Sequence, residues 1–564
     1  MKKFLLLFIV LPSLSILCYS QSANIPLNQD YYHLIDRYEI KQKRFSKSFE
    51  TAIKPFNRKG VAVFLDSLPV EVFNNGSSSD KFNLEYLLND NWDWTTNENN
   101  ESKKRFLKAL YKKKSDFYAV DEKDFNLHVN PVIYVSMGSD KDLDKLTYTN
   151  TRGVDIRGSI GKKLGFYTFL ADNQIRFPSY VNNEISKRGA IPGEGFWKPF
   201  GENETDFFTA RGYIQFSAIK DIIGIQFGHD KNFIGNGYRS LVLSDYSNNY
   251  LFLKLNTRIW KINYTNIFSS MMAAGQRADN GPQQPFPKKY NAFHRLGINI
   301  TDNFNIGLFE NVTFGVQDSL GNQFDVNYLN PIIFYRAVEH DTGDYGNAFV
   351  GLDYKWNLWH SIQWYGQFVL DELIVSELFS NSGWWGNKFG VQTGIKYIDV
   401  AKIKNLDLQA ELNLVRPYTF THYGDEKYSN YQHYDQALAH PLGANFYELI
   451  GIIRYQPFPK LSLTAKGIYV KIGKDRQGEN WGHNIFLNYD TRMQEYNNKI
   501  GQGLDTRILF VDFTLSYQFK HNFFIDLKNV IRKETINEEP GLNTNTNFIN
   551  MSLRWNIAQR LNEF

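Results

Sequence analysis

The chain has 564 residues, is 42% hydrophobic and 16% aromatic, and carries a formal net charge of +4. So small a net charge on so long a chain supplies no field for capturing nucleic acid, and no nucleic-acid partner is expected. A polar average with abundant Tyr, Phe and Trp is unusual for a soluble enzyme and fits strands that put one face in lipid and the other in a wet lumen.

Lys2 and Lys3 precede the apolar stretch Phe4 to Leu17, which Pro12 interrupts, and small residues Cys18 and Ser20 lead to a cut ahead of Gln21. This is the layout of a secretory signal peptide over residues 1–20. The stretch falls short of the roughly 20 apolar residues that a spanning helix needs. Bulky Ile16 and Leu17 argue against lipidation of Cys18, the single cysteine. Its removal with the signal leaves no thiol for a disulfide, a metal or nucleophilic catalysis.

Residues 21–125 read as a small α-helical domain, placed in the periplasm or plugging the barrel. Tyr31, Leu34, Ile35 and Tyr38 recur at helical spacing behind Asp30, which is positioned as a cap. Asp80 precedes Leu84, Leu87 and Leu88 in a second helix. Phe106, Leu107, Leu110 and Tyr111 mark a third, closed by Lys112, Lys113 and Lys114 as a solvated end.

From residue 126 to 564 the period falls to two. Leu406, Leu408, Ala410, Leu412 and Leu414 alternate with Asp407, Gln409, Glu411 and Asn413; Leu509 to Phe519 alternate with Asp512, Thr514, Ser516 and Gln518; Ile549 to Ile557 close the series. Each segment has the reach of about ten residues expected of a tilted membrane strand. Short turns at 158–163, 218–221, 301–303, 457–460 and 520–522 alternate with long polar loops near 173–204, 229–248, 269–292, 315–346, 417–442 and 473–503. The pattern predicts a mainly β protein, a transmembrane antiparallel barrel of about 18 strands in the outer membrane of a Gram-negative cell. Lipid is then a partner by default. A terminal Phe564 resembles the closing residue of such barrels, although it lies past the last alternating strand.

The segments "NTRGVDIRGSIGKKLGFYTF" from Asn150, "GHDKNFIGNGYRSLVLSD" from Gly228 and "NPIIFYRAVEHDTGDYGNAFVGLDYKW" from Asn330 resemble the capsule-assembly Wzi family of outer-membrane barrels. "YDQALAHPLGANF" from Tyr434 is similar to its Bacteroidetes branch. "IPGEGFWKPF" from Ile191 and "DFFTARGYIQF" from Asp206 resemble the RemB proteins linked to gliding motility. The resemblance covers the helical and barrel regions. It implies a wide, occluded barrel, a helical bundle at its periplasmic mouth, cell-surface loops that hold or organise polysaccharide, and a role in gliding motility and adhesion, with gliding or secretion machinery as partners. The family supplies no catalytic residues, and none are carried over.

Several residue groups invite chemistry. Gly235, Asn236 and Gly237 fit neither the dinucleotide fingerprint nor the P-loop, and no helix pattern follows them. With Asn232 and Asp245 they read as a tight loop folding inward to narrow the lumen, where Arg239 and Asp245 are placed to pair. His422, His433 and His440 share one loop with Asp425, Glu426 and Asp435 at spacings too irregular for structural zinc, so no metal and no cofactor is expected. Glu339, His340, Asp341 and Asp344 lack a companion nucleophile, and the chain is read as non-enzymatic, without catalytic residues.

Alternation places Arg152, Asp155, Arg157, Arg176, Arg211 and Glu411 in the lumen, since a lipid-facing charge at midplane costs about 2–4 kcal/mol. A bracing salt-bridge network is the plainer reading of these charges; the sharper one makes Arg157, Arg176, Arg211 and Arg239, with Trp197 as a stacking platform, a contact surface for acidic polysaccharide. Trp384 and Trp385 read as interfacial girdle, and Trp481 falls in an outer loop. The alternative function is a diffusion porin, because barrels of 16–18 strands leave an aqueous channel. A transporter of about 22 strands with a large plug does not fit the strand count.

Overall fold

The computed structural model describes residues 22–564 apart from 29, 70–75, 97–99, 103–108, 162, 274–285, 316–323, 333, 343–345 and 424–425; the expected signal peptide lies outside the described residues. Eighteen antiparallel strands close into one barrel: β1 (Phe125–Asp140), β2 (Thr147–Ile160), β3 (Leu164–Arg176), β4 (Glu204–Ile219), β5 (Ile223–Asp230), β6 (Tyr250–Ile259), β7 (Ile262–Met272), β8 (Lys288–Thr301), β9 (Phe304–Phe314), β10 (Asn347–Leu358), β11 (Ile362–Glu372), β12 (Lys388–Tyr397), β13 (Leu406–Val415), β14 (Phe446–Phe458), β15 (Leu461–Lys474), β16 (Leu504–Lys520), β17 (Phe523–Ile536) and β18 (Thr544–Trp555). β18 returns to β1 with Leu553 opposite Val135, so the 18-strand wall closes on itself.

The burial pattern inverts that of a soluble sheet. On β13 Glu411 and Asn413 are 1% and 0% exposed whereas Leu412 is 38% exposed. Polar residues fill the interior and apolar residues cover the outside, which is stable only if lipid bathes the outside. Short connections at 161–163, 220–222, 260–261, 302–303, 359–361, 459–460 and 521–522 gather at one end, and the long loops at the other. Trp260 and Trp359 stand exposed at the short-turn end, as an interfacial aromatic belt requires.

Among the described residues three helices precede the barrel: α1 (Tyr31–Gln42), α2 (Arg58–Asp66) and α3 (Ser78–Asp90). Ile35, Phe56, Val61, Phe64, Leu84 and Leu87 form their shared apolar core. At the start of α3 Ser77 and Asp80 exchange backbone hydrogen bonds in a capping box. α2 was not foreseen; its start is marked by Asn57, whose side chain accepts from the Gly60 N–H. Asp30 does not cap α1, because its carboxylate is drawn 3.2 Å from the Arg554 guanidinium at the barrel rim. Of the third expected helix, Phe106 and Leu107 lie outside the described residues. Leu110 and Tyr111 are not helical: Tyr111 has φ 53° and donates its N–H to the Phe117 carbonyl, and the chain bridges back from Lys113 to Glu101.

The helices dock against the short-turn end through buried charges. Arg37 of α1 pairs with Asp399 and Asp407, Asp36 with Lys396 at 2.7 Å, and Glu39 with Lys355 at 2.9 Å. Burial, which would raise the Asp36 carboxyl, is outweighed by Lys396, and its pKa lies below the usual range.

One outer connection departs from expectation. Residues 324–332 and 334–342, read as polar loop, lie against the membrane face of β6–β10, where Tyr328, Tyr335 and Val338 pack on Phe268, Ala292, Val312 and Phe314. The reason is a charged pair on that face: His294 sits 3.1 Å from Glu310, and the Glu310 carboxylate accepts the N–H groups of Tyr335 and Arg336 at the start of helix α5 (Tyr335–Thr342; α4 is Ser179–Arg188). Left bare, this pair would face hydrocarbon at a cost of several kcal/mol.

Candidate functional site

Between β5 and β6 the chain turns into the barrel. Ile234 pairs through its backbone with Ile53 of the helical domain, and the Gly235 N–H donates to the Ala52 carbonyl. Thr51 Oγ1 reaches the Asn236 side chain at 3.0 Å. Gly235 has φ 136°, open to glycine alone, and a Cβ on Gly237 would stand 2.7 Å from both Gln392 and Glu411 side-chain oxygens. The loop therefore touches the opposite barrel wall. Glu411 of β13 accepts the N–H groups of Tyr238 and Arg239, and Gln367 of β11 accepts that of Leu241. Asn232 accepts from the Lys254 ammonium at 2.9 Å. Arg239 does not pair with Asp245: its guanidinium lies 3.1 Å from Glu448 and 2.7 Å from Glu563, while Asp245 takes the Asn28 amide. Two carboxylates outbid one because the arginine's planar fork offers donors in both directions.

Glu563 belongs to a tail, residues 556–564, that leaves β18 and climbs back up the lumen. Ile557, expected in the last strand, is already part of it. Lys466 and Tyr238 also bond Glu563, and the Phe564 ring lies 5.2 Å from the Arg239 guanidinium. Burial, which would raise the Glu563 carboxyl, is outweighed by Arg239 and Lys466, which hold it well below the usual range.

Helical domain, inward loop, tail and barrel wall enclose a cavity of about 490 Å³. Aromatic rings (Tyr167, Phe169, Phe233), amides (Asn173, Gln409) and charges line it. Arg211 lies over the Phe169 ring at 4.2 Å, and Arg454 bonds the neutral Gln409 side chain at 3.2 Å. Lys54 faces the Phe233 ring at 4.6 Å, and burial lowers its pKa to about 8.

The sequence-marked arginines are not brought to one surface. Arg211 and Arg239 share the cavity. Arg157 is buried beside it, donating to the Asp90 carbonyl at the end of α3. Arg152 and Arg176, expected in the lumen, stand on the outward parity of β2 and β3. There each is paired with a carboxylate of the neighbouring strand, Arg152 with Asp172 and Arg176 with Glu204, so neither charge needs the lumen. Trp197 is 5% exposed, with its indole N–H on the Gly189 carbonyl, so its ring is packed away from solvent.

A second site, not marked in the sequence, lies on the long loops. Trp385, read as girdle, is instead buried against Tyr489 at 4.6 Å with the Arg492 guanidinium 4.3 Å from its ring. Trp384 packs on Trp385, His422 stacks on Tyr423 at 4.4 Å, and Tyr423 and Tyr496 are exposed. The rings come from three loops, which is why no local motif announced them. His433 and His440 point away from His422: the first accepts from the Met272 N–H, the second bonds Glu448. Burial lowers the His433 pKa to about 4. Among the described residues no group of three or more His, Cys, Asp or Glu could hold a metal. His340 and Asp341 are solvent-exposed; Asp344 lies outside the described residues.

Fold and interior together define the class: an outer-membrane β-barrel of 18 strands with helices at its N-terminus. Neither family models nor curated proteins match the chain. Among solved structures it is similar to Wzi of Escherichia coli, described as an outer-membrane protein involved in group 1 capsule assembly and a carbohydrate-binding β-barrel. The TM-score is 0.55 at 13% identity, over 96% of this chain and 100% of that one. OprD of Pseudomonas aeruginosa aligns at TM-score 0.40 and 10% identity, over 76% of this chain and 94% of that one. OccAB4 of Acinetobacter baumannii does so at 0.40 and 8%, over 77% and 98%.

Proposed function

We propose that this protein is an occluded, non-enzymatic barrel of the capsule-assembly kind, which acts by binding surface polysaccharide through its long loops at the cell surface. The observation that carries the reading is the backbone pairing of Ile234 with Ile53 inside the barrel. It joins an inward loop to the helical domain, and a lumen crossed by such a bridge suits binding better than diffusion. The carbohydrate binding printed for Wzi supports the same reading. The loop face carries the matching chemistry: exposed Tyr423 and Tyr496, and Tyr423 with His422 and Tyr489, offer ring faces for sugars. The resemblance of the motifs at Ile191 and Asp206 to RemB proteins supports a role of the protein in gliding motility and adhesion, with motility or secretion proteins as partners.

Single-channel conductance of the purified mature protein in a planar bilayer tests this. The expected result is silence from folded protein. Steady, nanosiemens-scale openings would overturn it in favour of the porin alternative.

A further inference from the structure

On β16 the membrane face runs Phe519, Tyr517, Leu515, Phe513, Val511 and Leu509, all apolar or aromatic, and then changes at Arg507. Ten steps at about 3.3 Å, on a strand tilted by 35–45°, climb about 25 Å, the full height of the apolar band. Arg507 is thus the first residue beyond the hydrocarbon on the long-loop side.

Its neighbours repeat the change. Lys471 of β15 is directly opposite Arg507 in register and shares the outward parity of exposed Tyr469. Lys533 of β17 is opposite Leu509, one diagonal from Arg507, on the outward parity of Ile531 and Leu527. Three cations on three consecutive strands therefore share one face at the upper edge of the apolar band, Lys471 level with Arg507 and Lys533 level with Leu509 in register. Like charges directly opposite across a ladder repel. Asp505 lies 3.4 Å from Arg507 and also takes the Asn537 amide at 2.6 Å. Among the described residues no carboxylate lies within 4.0 Å of Lys471 or Lys533. Elsewhere on the outward face cations are matched: Arg152 with Asp172, Arg176 with Glu204, Lys198 with Asp206.

We propose that Lys471, Arg507 and Lys533 form a binding site for the phosphate of an outer-leaflet glycolipid. Below them Tyr469, Leu509, Phe513 and Ile531 offer an apolar wall for its acyl chains. An arginine flanked by two lysines suits a phosphate, the arginine by its fork and the lysines as mobile point charges. The lipid supplies the counter-charge that the rim lacks. The site rests on the proposed orientation, long loops outward, and is otherwise independent of the glycan reading.

The test uses the full mature protein in detergent, with native mass spectrometry against bis-phosphorylated lipid A, its dephosphorylated form and inorganic phosphate. The variant is Lys471→Gln/Arg507→Gln/Lys533→Gln; the control, at the short-turn end, is Lys163→Gln/Lys261→Gln/Lys402→Gln. Phosphorylated lipid A should bind the wild type and the control equally, and the rim variant more weakly by roughly tenfold or more. Equal binding to the rim variant or to the dephosphorylated lipid would overturn the site. Displacement of the lipid by equimolar inorganic phosphate would overturn the lipid source. Heat-modifiable migration confirms that each variant is folded. Orientation is read separately, by labelling Asp490→Cys on whole cells with an impermeant maleimide, so a wrong orientation and a wrong site give different results.

Discussion

Arg239 and Glu563 meet at 2.7 Å in the middle of the barrel, the first from a loop that descends from one end and the second from a tail that rises from the other. Their contact ties the chain's last residues to the segment that crosses the lumen. The tail is therefore part of the packed interior rather than a strand end left free.

Glu563→Ala should lower stability by about 3 kcal/mol, the lower end for breaking a buried pair. The loss stays there because Arg239 keeps Glu448 and Lys466 keeps Asp512 at 3.6 Å. Urea-induced unfolding followed by heat-modifiable migration measures it, and an unchanged midpoint would show that the Arg239–Glu563 contact does not hold the tail.

Glu411→Ala removes the acceptor of the Tyr238 and Arg239 N–H groups and of the Tyr365 hydroxyl. The inward loop then loses its anchor on β13. In a planar bilayer the variant should show intermittent openings where the wild type is silent; silence from both would mean that the loop is held by its other contacts alone.

Lys54 titrates at about 8 in the folded protein against 10.5 for a free lysine. Its folded pKa is depressed, so between those values the unfolded chain binds more protons and stability rises with pH. Below pH 8 the buried charge costs about 3 kcal/mol at 1.36 kcal/mol per pKa unit. Lys54→Met should raise stability at pH 7 and flatten the rise between pH 8 and 10.5. An unchanged pH profile would show that Lys54 is solvated.

Glu310→Leu deletes the acceptor for the first N–H groups of α5 and leaves His294 beside an apolar side chain. Two backbone donors on the membrane face then lack partners, at several kcal/mol. Trypsin should cut after Arg336 in the variant and spare the wild type.

On the loop face, Tyr423→Ala combined with Tyr489→Ala should weaken binding of the cell's own envelope polysaccharide by roughly tenfold, given about 0.5–1.5 kcal/mol per ring contact. Biolayer interferometry with the purified glycan reads it. Unaltered affinity would move the glycan site away from this cluster.

The barrel was legible because its signal is local: a period of two over ten residues, and turns that alternate short and long, depend on nothing distant. Asp407, Gln409, Glu411 and Asn413 declared a polar lumen wall by parity alone, and they are the buried residues of β13. The same reasoning misplaced Arg152 and Arg176. Parity was assigned from an aversion of charge to lipid, and that aversion is met instead by a carboxylate on the neighbouring strand, Asp172 for Arg152 and Glu204 for Arg176.

The rest needed the folded chain. Sequence by itself determined the closed antiparallel wall, because strand alternation and the lipid–lumen contrast are read residue by residue. Which groups meet inside that wall was decided only in three dimensions. Ile53 finds Ile234, Arg239 finds Glu448 and Glu563, and Trp385 finds Tyr489, each across a separation that no periodicity records. Buried charges pair with whatever carboxylate the closed barrel brings within reach, and the closure of the barrel sets that choice rather than any spacing along the chain.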